Sequence, residues 1–545
     1  MVSGFKIHVS GSMRYLRSII VCLIAVFGFV SCGAINKVGQ KKDLSPNDFG
    51  LAKAKTGTER YEVLLRTHQA AVAAGVNVDY SGIDTIRLEI PSKPSRIPLT
   101  RKNDFKGCVL VVSNKSCRSF LFDYSAEEVP VMVSKSAIDE GDFRKVRSLK
   151  NGRYLLKIED DNYWVDNRRG YSYGHKREDI LLVEDGEAKN TVIKPYNNVY
   201  SAPKCSLIKI GDTPFTIKNL SVIREPGCTF VTNVFYISGT DNINIADIII
   251  KTPENSLSGD AAISIFNSTN VTLDNVRIEG TYSQKDRYGY GISLGNIWNF
   301  KASKLYGRAN WGIFGSNNVN VARIEDSQIN RFDIHCYGRD ISFKKVSFFD
   351  LYNQYSSVYG SITHDNCTFT NFIPIRNGGS YNSYVEHEVV FNDCVFNADP
   401  DNNCVFKLSH LNEPDNTRHE LAEKCLPNVK INNMVVNMTN GADNFFLFNC
   451  TSSGKGLKEI GNLSNITIDG LIINPSAEKP VKQMTLSNIE IGTKAPVDIQ
   501  MKNVTVNQPL TKSLLGSSRP SVQLKSNLTV KGGKVKMNNV TGMKE

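Results

Sequence analysis

The sequence predicts an all-β fold, a parallel β-helix in which short strands stack as the coils of a solenoid. The first observation is a repeated unit of Asn, apolar, any, apolar, any, Asn or Asp, apolar, any and apolar residues, which residues 242–250 and 270–278 fit in every slot. Such alternation predicts short strands with one buried face, and the recurring Asn or Asp tolerates a left-handed bend between them. The opening half of the unit returns at further places, which begin at Asn318, Asp340, Ser361, Glu388, Asn428, Asn465 and Asn527.

The second observation is the spacing of these units. Their first apolar slot falls at positions 215, 243, 271, 300, 319, 341, 362, 389, 429, 466, 484, 499 and 528. A coil of three strands and their bends needs on the order of 20 residues, so most of these steps describe one turn of a solenoid with loops of variable length. The step from 484 to 499 is too short, so one of these two positions is expected not to belong to the series. The two-residue period excludes helical solenoids, and the drifting interval argues against a propeller.

The repeated unit resembles that of the right-handed parallel β-helix proteins of the pectin lyase-like superfamily, over roughly residues 204–540. The resemblance implies a solenoid whose exposed faces bind or cleave polysaccharides in many relatives, whereas other relatives are adhesins or spike proteins without catalytic activity. No catalytic set of the superfamily carries over residue by residue. The sequence shows neither the clustered Asp calcium ligands of pectate lyases nor the motif set of polygalacturonases. No metal or cofactor is therefore predicted, and calcium in particular has no support from the residues.

The N-terminus is predicted to be a bacterial lipoprotein signal of residues 1–31, with Met13 as an alternative start. Two arginines open a basic region, a short apolar core follows, and a small residue precedes Cys32. In such a signal the cysteine is acylated and becomes the first residue of the mature chain, so we expect a lipid anchor at Cys32 in the bacterial cell envelope. An ordinary signal peptide or an uncleaved anchor is the alternative.

Charge and composition divide the rest of the chain and suggest its partner. We expect a tether over residues 32–55, an N-terminal cap with the first strands and a polar insertion over 56–203, and the solenoid over 204–545. The formal net charge is +11, and loss of the three basic residues of the signal leaves +8. This excess favours an acidic partner, and an anionic polysaccharide fits an exported protein better than nucleic acid does. A solvated basic surface is the alternative, and no nucleotide-binding motif is present.

An amphipathic capping helix is predicted at the start of the cap. Thr56 and Glu59 have the spacing of a capping box, and a helical stripe follows them up to Gly75. A helix across the open end of the first coil would protect its unpaired edge from aggregation. His68 lies on this stripe and is expected to be a packed core residue. The other members of the stripe are Tyr61, Leu64, Leu65 and Val72.

The insertion, residues 141–190, is crowded with charged and aromatic side chains. Trp164, Tyr171 and Tyr173 lie beside several arginines, and such groups can stack on sugar rings and pair with uronates or sulfates. A polar β-hairpin with ordinary surface aromatics is the alternative interpretation.

The cysteines are predicted to be structural. The chain has 12 cysteines, and none shows the pair spacing of a zinc site. Cys367 and Cys394 fall in the inward slot of the repeat that Val276 and Val346 also fill, which predicts a stacked ladder in the core. A disulfide between neighbouring coils is the alternative in an oxidising compartment.

The candidate site is predicted from three consecutive coils whose opening segments, residues 290–294, 311–315 and 332–336, align by eye. If Ile292, Ile313 and Ile334 point inward, alternation sends Asp333 and His335 to one exposed face. The same alternation sends Gly291, Gly312, Ser293 and Phe314 outward and Cys336 inward, which argues against a thiol nucleophile.

These residues favour β-elimination from a uronate over hydrolysis. His335 or Tyr337 would take the proton beside the uronate carboxyl group, next to Asp333, and Arg331 or Arg308 would neutralise that carboxylate. Hydrolysis requires a second carboxylate about 5 to 9 Å away, and Asp333 has no such partner on the aligned face. A non-catalytic glycan-binding or adhesive rod is the alternative. Further substrate contacts are predicted at Tyr290, Trp311, Arg339 and Arg376.

Overall fold

The computed structural model describes most of the chain from residue 42 onward. The described ranges are 42–114, 120–165, 175–192, 203–225, 233–252, 261–279, 283–284, 287–309, 311–355, 358–378, 387–399, 402–411, 428–438, 444–450, 465–474, 476, 483–488, 499–506 and 535–541. The predicted signal and Cys32 lie outside these ranges. Within them, no helix has both the length and the apolar character needed to cross a membrane.

The predicted capping helix is present as α1, Gly57–Ala74, after a single 3-10 turn at Leu51–Lys53. The Thr56 hydroxyl accepts a hydrogen bond from the Glu59 N–H at 3.1 Å, and the Glu59 carboxylate accepts one from the Thr56 N–H at 3.2 Å. This reciprocal pair satisfies two N–H groups that the first helical turn leaves without partners. The helix ends at Gly75, whose φ of 66° is left-handed.

The inner face of α1 closes the first coil of the solenoid. Leu64 and Leu65 are buried in the same core as the first strands. His68 is fully buried, as predicted, with its ring nitrogens 2.8 Å from the Tyr80 hydroxyl and 2.9 Å from the Pro98 carbonyl oxygen. Burial lowers the pKa of His68 to about 4. Val72 differs from the prediction, since it is 47% exposed on the outer side of the helix.

The first coils are built from four strands, and they belong to the same parallel sheet as the later ones. Strand β3 pairs in parallel with β1 on one side and with the solenoid on the other. The four strands are β1 Thr85–Ile90, β2 Ile97–Pro98, β3 Lys102–Asn114 and β4 Phe120–Ser125.

A five-stranded antiparallel sheet, which we call the side sheet, interrupts the solenoid. One of its faces covers an apolar core of its own, and the other, with Leu155 and Ile208, packs toward Trp298 of the solenoid. The insertion thus contains a β-hairpin, but it is wider than predicted and not wholly polar. The side chain of Trp164 and all of Tyr171 and Tyr173 lie outside the described part. Its elements are β5 Val129–Val131, α2 Lys135–Glu140, β6 Arg153–Val165, β7 His175–Glu184, β8 Glu187–Ala188 and β9 Pro203–Lys209.

The remaining strands form the solenoid, in which corresponding strands of successive coils pair in parallel. Only β14 and β15 form a small antiparallel hairpin among these strands. The predicted all-β parallel β-helix with an N-terminal capping helix is therefore confirmed. The strands are β10 Phe215–Arg224, β11 Asn233–Ser238, β12 Asp241–Lys251, β13 Ile263–Glu279, β14 Ser283–Gln284, β15 Arg287–Tyr288, β16 Ile292–Ser303, β17 Tyr306–Gly307, β18 Phe314–Ile329, β19 Asp333–Phe348, β20 Gln354–Tyr355, β21 Val358–Asp365, β22 Thr368–Phe369, β23 Ile373–Gly378, β24 Glu388–Asn392, β25 Val395–Ala398, β26 Cys404–Leu411, β27 Asn428–Met438, β28 Asn444–Cys450, β29 Ile466–Asn474, β30 Gln483–Asn488, β31 Ile499–Val506 and β32 Val535–Thr541.

The register agrees with most of the predicted series. Partners follow one another from Phe215 through positions 243, 271 and 300, and again through 341, 362, 389, 429, 466 and 499. Between these runs Phe300 pairs with Ala322 rather than with residue 319. Met484 was the misread position, since it lies in β30 of a separate four-stranded sheet. Position 528 lies outside the described residues.

The bends of the repeat use the geometry that the recurring polar residues predict. Asn242, Asp247, Asn270 and Asn275 all have positive φ, between 51° and 55°. The side chains of successive bends also bond to each other, as in the 2.6 Å hydrogen bond from Asn275 Nδ2 to Asp247 Oδ1. The recurring Asn and Asp therefore shape the bend and satisfy the polar groups of the neighbouring coil.

The core ladder of cysteines is present as predicted. Cys367 and Cys394 are both fully buried as free thiols. Their Sγ atoms donate to main-chain carbonyl oxygens, at 3.6 Å to Phe343 and at 3.4 Å to His364. Both cysteines thus act as small apolar residues of the core.

Candidate functional site

The register of the three aligned coils differs from the prediction by one residue between the first two segments and by three between the last two. Ile292 pairs with Phe314, and Ile334 pairs with Ser316, so the three isoleucines do not form one column. Phe314 was predicted to point outward but is fully buried, with ring centroids 5.6 Å from Phe300 and 5.1 Å from Phe332. The turn that precedes β18 brings Ile313 inward as well, and this extra inward residue displaced the alignment.

Asp333 and His335 nevertheless point to the same side of β19, as alternation predicts. The prediction that Asp333 is exposed was wrong, because its side chain is completely buried, whereas the His335 side chain is 12% exposed. The carboxylate is covered by neighbours from other coils. Oδ2 accepts hydrogen bonds from the Tyr290 hydroxyl at 2.9 Å and from Arg331 Nη2 at 2.5 Å, and Oδ1 lies 2.9 Å from His335 Nε2.

The Tyr290 hydroxyl joins the two predicted residues. It lies 2.9 Å from Asp333 Oδ2 and 3.2 Å from His335 Nε2, and the rings of Tyr290 and His335 meet edge to face with centroids 5.8 Å apart. Trp311 extends this group on the other side, with its ring centroid 5.7 Å from that of Tyr290. We call Tyr290, Arg331, Asp333 and His335 the Asp333 cluster.

The electrostatics of the cluster keep Asp333 ionised. Burial by itself raises the pKa of the Asp333 carboxyl, but the neighbouring His335 and Arg331, together with the hydrogen bonds from His335 and Tyr290, outweigh burial. The pKa of Asp333 is therefore lowered from its ordinary value. A buried carboxylate that stays charged fixes the orientation of every donor around it.

Two glycines make room for the cluster. Ser316 of β18 pairs with Ile334 of β19, so Gly315, one residue earlier in β18, lies opposite Asp333 of β19. A Cβ on Gly315 would lie 2.5 Å from Cε2 and Cγ of Tyr290, and a Cβ on Gly312 would lie 2.8 Å from Cβ of Arg331. Gly312 also has a φ of 129°, which side chains rarely allow. The two glycines of the segment 311–315 were a sequence signal for this site.

Arg331 is anchored by residues that the sequence did not single out. Its Nη2 also donates to Gln354 Oε1 at 2.9 Å, and its Cζ lies 5.2 Å from the centroid of the Tyr352 ring. Gln354 pairs with Asp333 in the register, so it is the next residue of the same outward column. These contacts leave only 10% of the Arg331 side chain exposed.

Two of the predicted site residues contact the side sheet or the segment that follows its strand β8. The Tyr337 hydroxyl accepts a hydrogen bond from the Glu178 N–H at 2.8 Å and donates one to the Glu178 carbonyl oxygen. Arg339 Nη1 donates to Thr191 Oγ1 at 2.9 Å. Tyr337 is almost fully buried by this contact, so its position favours a role in docking the side sheet over that of a base.

The remaining predicted residues are more dispersed. Arg308 has an exposed side chain that pairs with Asp350, with Nε 3.0 Å from Oδ2. Arg376 lies in β23, and its side chain is outside the described part, as is that of Cys336. Among the described residues, no group of three or more His, Cys, Asp or Glu side chains is arranged to hold a metal ion.

The fold defines the chain as a parallel β-helix protein. No family model matches the sequence, and no curated protein matches it either. Among solved structures it is similar to the tailspike protein gp49 of Pseudomonas phage LKA1, with 12% identity and a TM-score of 0.45 over 86% of this chain and 81% of that chain. It is also similar to the tailspike gp61 of Pseudomonas phage phi297, with 12% identity and a TM-score of 0.44 over 82% and 84%. A third similar structure is the Gp54 tailspike of Acinetobacter baumannii bacteriophage AP22 in complex with A. baumannii capsular saccharide, with 10% identity and a TM-score of 0.40 over 85% and 79%.

Proposed function

We propose that this protein binds an acidic polysaccharide at the Asp333 cluster and cleaves it beside a uronate by β-elimination. The observation that carries the proposal is the Tyr290 hydroxyl, which lies within 3.2 Å of both Asp333 Oδ2 and His335 Nε2. A carboxylate, an imidazole and a phenol in mutual contact can hold and move a proton on a rigid surface. The formal net charge, +11 for the full sequence and +8 without the predicted signal, favours an anionic polymer as the partner.

The hydrogen bonds suggest which atom acts as the base. Asp333 Oδ1 lies 2.9 Å and the Tyr290 hydroxyl 3.2 Å from His335 Nε2. A neutral imidazole held in this way would carry its proton on Nε2, which would leave Nδ1 as the basic nitrogen. His335 would then take the proton from the carbon next to the uronate carboxyl group. As the bond to the leaving glycosidic oxygen breaks, the Tyr290 hydroxyl would donate a proton to that oxygen.

Elimination also needs a positive charge on the substrate carboxylate, because the carbon beside it is otherwise too weak an acid. Arg331 is the arginine of the cluster that could supply this charge, but its Nη2 already donates hydrogen bonds to Asp333 and Gln354. This neutralisation favours a second candidate function, in which the same surface binds an acidic glycan without cleaving it. Such a binding or adhesive rod would use the cluster for recognition alone.

Export and anchoring belong to the same proposal and rest on the sequence. An acylated Cys32, followed by a tether to residue 55, would hold the solenoid at a membrane of the bacterial cell envelope. Extracellular or periplasmic polysaccharides would then be within its reach.

The decisive experiment is incubation with alginate, polygalacturonate, hyaluronan and chondroitin sulfate. Ultraviolet absorbance reports unsaturated uronate ends, and a separate assay reports reducing ends. We expect unsaturated ends from at least one polymer, with a loss on the order of 100-fold or more in His335→Ala. Tyr290→Phe should also lose activity, whereas Tyr306→Phe, a half-buried tyrosine outside the cluster, should not.

The outcomes separate the two candidate functions. Reducing ends without unsaturated ends would refute elimination in favour of hydrolysis. Salt-sensitive retention on an immobilised polymer without any product would support the binding rod. Activity that survives His335→Ala would refute the assignment of the base.

A further inference from the structure

The face that carries the Asp333 cluster continues toward the N-terminal cap as two outward columns of side chains. One column runs from His335 through Asn317 and Gly295 to Phe266, and we call it the second column. The first column runs from Asp333 and Gly315 through Ser293 and Ser264 to Tyr236. Between the aromatic residues Tyr236 and Phe266 and the Asp333 cluster, these columns hold only small or amide side chains, so few atoms project from the surface there.

Phe266 lies on this surface in the same way as Tyr290 does. A Cβ on Gly295 would lie 2.5 Å from Cδ1 and 2.7 Å from Cε1 of Phe266, and Gly315 stands in the same relation to the Tyr290 ring. In both places the ring of one coil lies over a glycine of the next. Because Phe266 remains half-buried rather than buried, part of its ring is open to solvent.

Two further rings continue the row toward the cap. The Tyr236 ring centroid lies 5.6 Å from that of Phe266, with planes inclined at 33°, and Phe120 lies 4.7 Å from Tyr236 at 50°. Rings at these angles do not cover each other face to face. The exposed Arg96 lies over this end of the row, with Cζ 5.1 Å from the Phe120 centroid and 5.3 Å from that of Tyr236. Its Nη1 also pairs with Asp123 Oδ1 at 2.8 Å, so a ligand carboxylate or sulfate would share the guanidinium with Asp123.

The side sheet forms a wall along the row. Arg153 Nη2 of β6 bonds Asp241 Oδ2 of β12 at 2.8 Å, whereas Glu178 of β7 bonds Tyr337 of β19 at 2.8 Å. Glu159 and Glu178 are opposite each other in the β6–β7 pair. The hairpin therefore runs lengthwise along the solenoid, across the same coils as the row of rings.

We infer that Tyr236 and Phe266, with Arg96 beyond them, form additional binding positions for successive sugars of an acidic polymer whose cleaved or recognised unit lies at the Asp333 cluster. The chain would lie along the solenoid axis, with the side sheet at its flank. Four coil steps of about 4.8 Å separate Tyr236 from His335, or roughly 19 Å, which is the length of a short oligosaccharide rather than of one sugar. Aromatic rings suit sugar faces because they offer a rigid apolar surface, and Arg96 suits a carboxylate or sulfate.

The test rests on the proposed function and uses chain length as its variable. Binding of dimers and hexamers of mannuronate, galacturonate and hyaluronan is measured by calorimetry in the His335→Ala background, in which the ligands are not consumed. We expect the hexamer of one series to bind at least about tenfold more tightly than the dimer. Phe266→Ala and Tyr236→Ala should each weaken hexamer binding by about tenfold and leave the dimer unchanged.

The controls keep the inference separable from folding and from catalysis. Phe266→Tyr should retain hexamer binding, and Tyr306→Ala should have no effect. Arg96→Ala, an exposed position that cannot unfold the core, should weaken the hexamer by several-fold and reduce the salt dependence of its binding. Equal affinity for dimers and hexamers, hexamer binding that survives Phe266→Ala, or no hexamer binding at all would overturn the inference. Length-dependent binding without turnover by the wild-type protein would support these additional binding positions while refuting elimination.

Discussion

Replacing Gly315 with alanine should detach the Tyr290 hydroxyl from Asp333 and His335 without altering any of the three residues. The added Cβ would lie 2.5 Å from Cε2 and Cγ of the Tyr290 ring, a separation that forces the ring to move. Gly315 does not have a positive φ, so alanine meets no backbone strain there. The substitution therefore acts through the position of the ring.

The expected change in stability is the difference of two effects. A hydrogen bond to a charged group contributes about 1.5–3 kcal/mol, and its loss also removes one of the donors that keep Asp333 ionised. Glycine to alanine at a compatible backbone position stabilises by about 0.4–1 kcal/mol through the unfolded chain. We expect a net destabilisation on the order of 0.5–2.6 kcal/mol. If the cluster is catalytic, a displacement of about 1 Å should lower kcat/KM by on the order of 100-fold.

The assay compares Gly315→Ala, Tyr290→Phe and the double variant in turnover, glycan affinity and melting temperature. Because both single changes remove the same hydroxyl from Asp333, the double variant should lose little more than the stronger single variant. Ser293→Ala, in the same outward column, serves as the control and should behave as the wild type. Additive losses, or a Gly315→Ala variant with unchanged activity and affinity, would refute the reasoning.

Three further predictions follow from the described contacts, and a fourth follows from the sequence. Asp333→Asn should lower the melting temperature at pH 7, and the difference from the wild type should shrink below about pH 4. The reason is that a carboxyl whose pKa is lowered by folding stabilises the fold fully above its pKa in the unfolded chain, and less as the pH falls toward its pKa in the folded protein. A constant difference down to pH 3 would contradict this. His364→Phe should make the protein less sensitive to acid, because burial lowers the pKa of His364 to about 3. The wild type therefore loses up to about 1.4 kcal/mol of its free energy of unfolding per pH unit below about pH 6.5. An equal dependence of melting temperature on pH in the variant and the wild type would rule this out. Tyr337→Phe should speed hydrogen exchange in β7, since the Glu178 N–H loses its acceptor at a cost of about 1–3 kcal/mol, whereas Tyr306→Phe should leave β7 protected. Cys32→Ala should move the protein from the membrane fraction to the supernatant, and unchanged fractionation would count against the lipid anchor.

The fold could be predicted because each coil repeats one local rule. Residues such as Asn242 and Asn270 announce their bends, since Asn is among the few residues that adopt positive φ readily. Val321 shows where the rule fails. It has a φ of 59° although a β-branched residue gives no signal of a bend, and the register there moves from position 319 to Ala322. A bend imposed by the stacked neighbours cannot be read from the residue that adopts it.

The site could be predicted only as far as one strand extends. Alternation along β19 places Asp333 and His335 on one side, which is a local property. The burial of Asp333 depends instead on Tyr290 from another coil and on the missing side chain of Gly315. These contacts join residues distant in sequence, and a register error of one to three residues is enough to hide them.

The three described histidines of the core and the site show why the Asp333 cluster is better explained by function than by stability. His68 and His364 are fully buried, and burial lowers their pKa values to about 4 and about 3. His364 is stacked on aromatic rings and acts as a core residue. His335 instead remains partly exposed and contacts an ionised, buried carboxylate. Buried ion pairs add little net stability compared with apolar residues of similar size, and the coils around Asp333 fill the same column with Ser293 and Gly315 at no such cost. A solenoid with a purely structural role would gain nothing from that carboxylate, whereas a site that must hold His335 and Tyr290 in one orientation requires it.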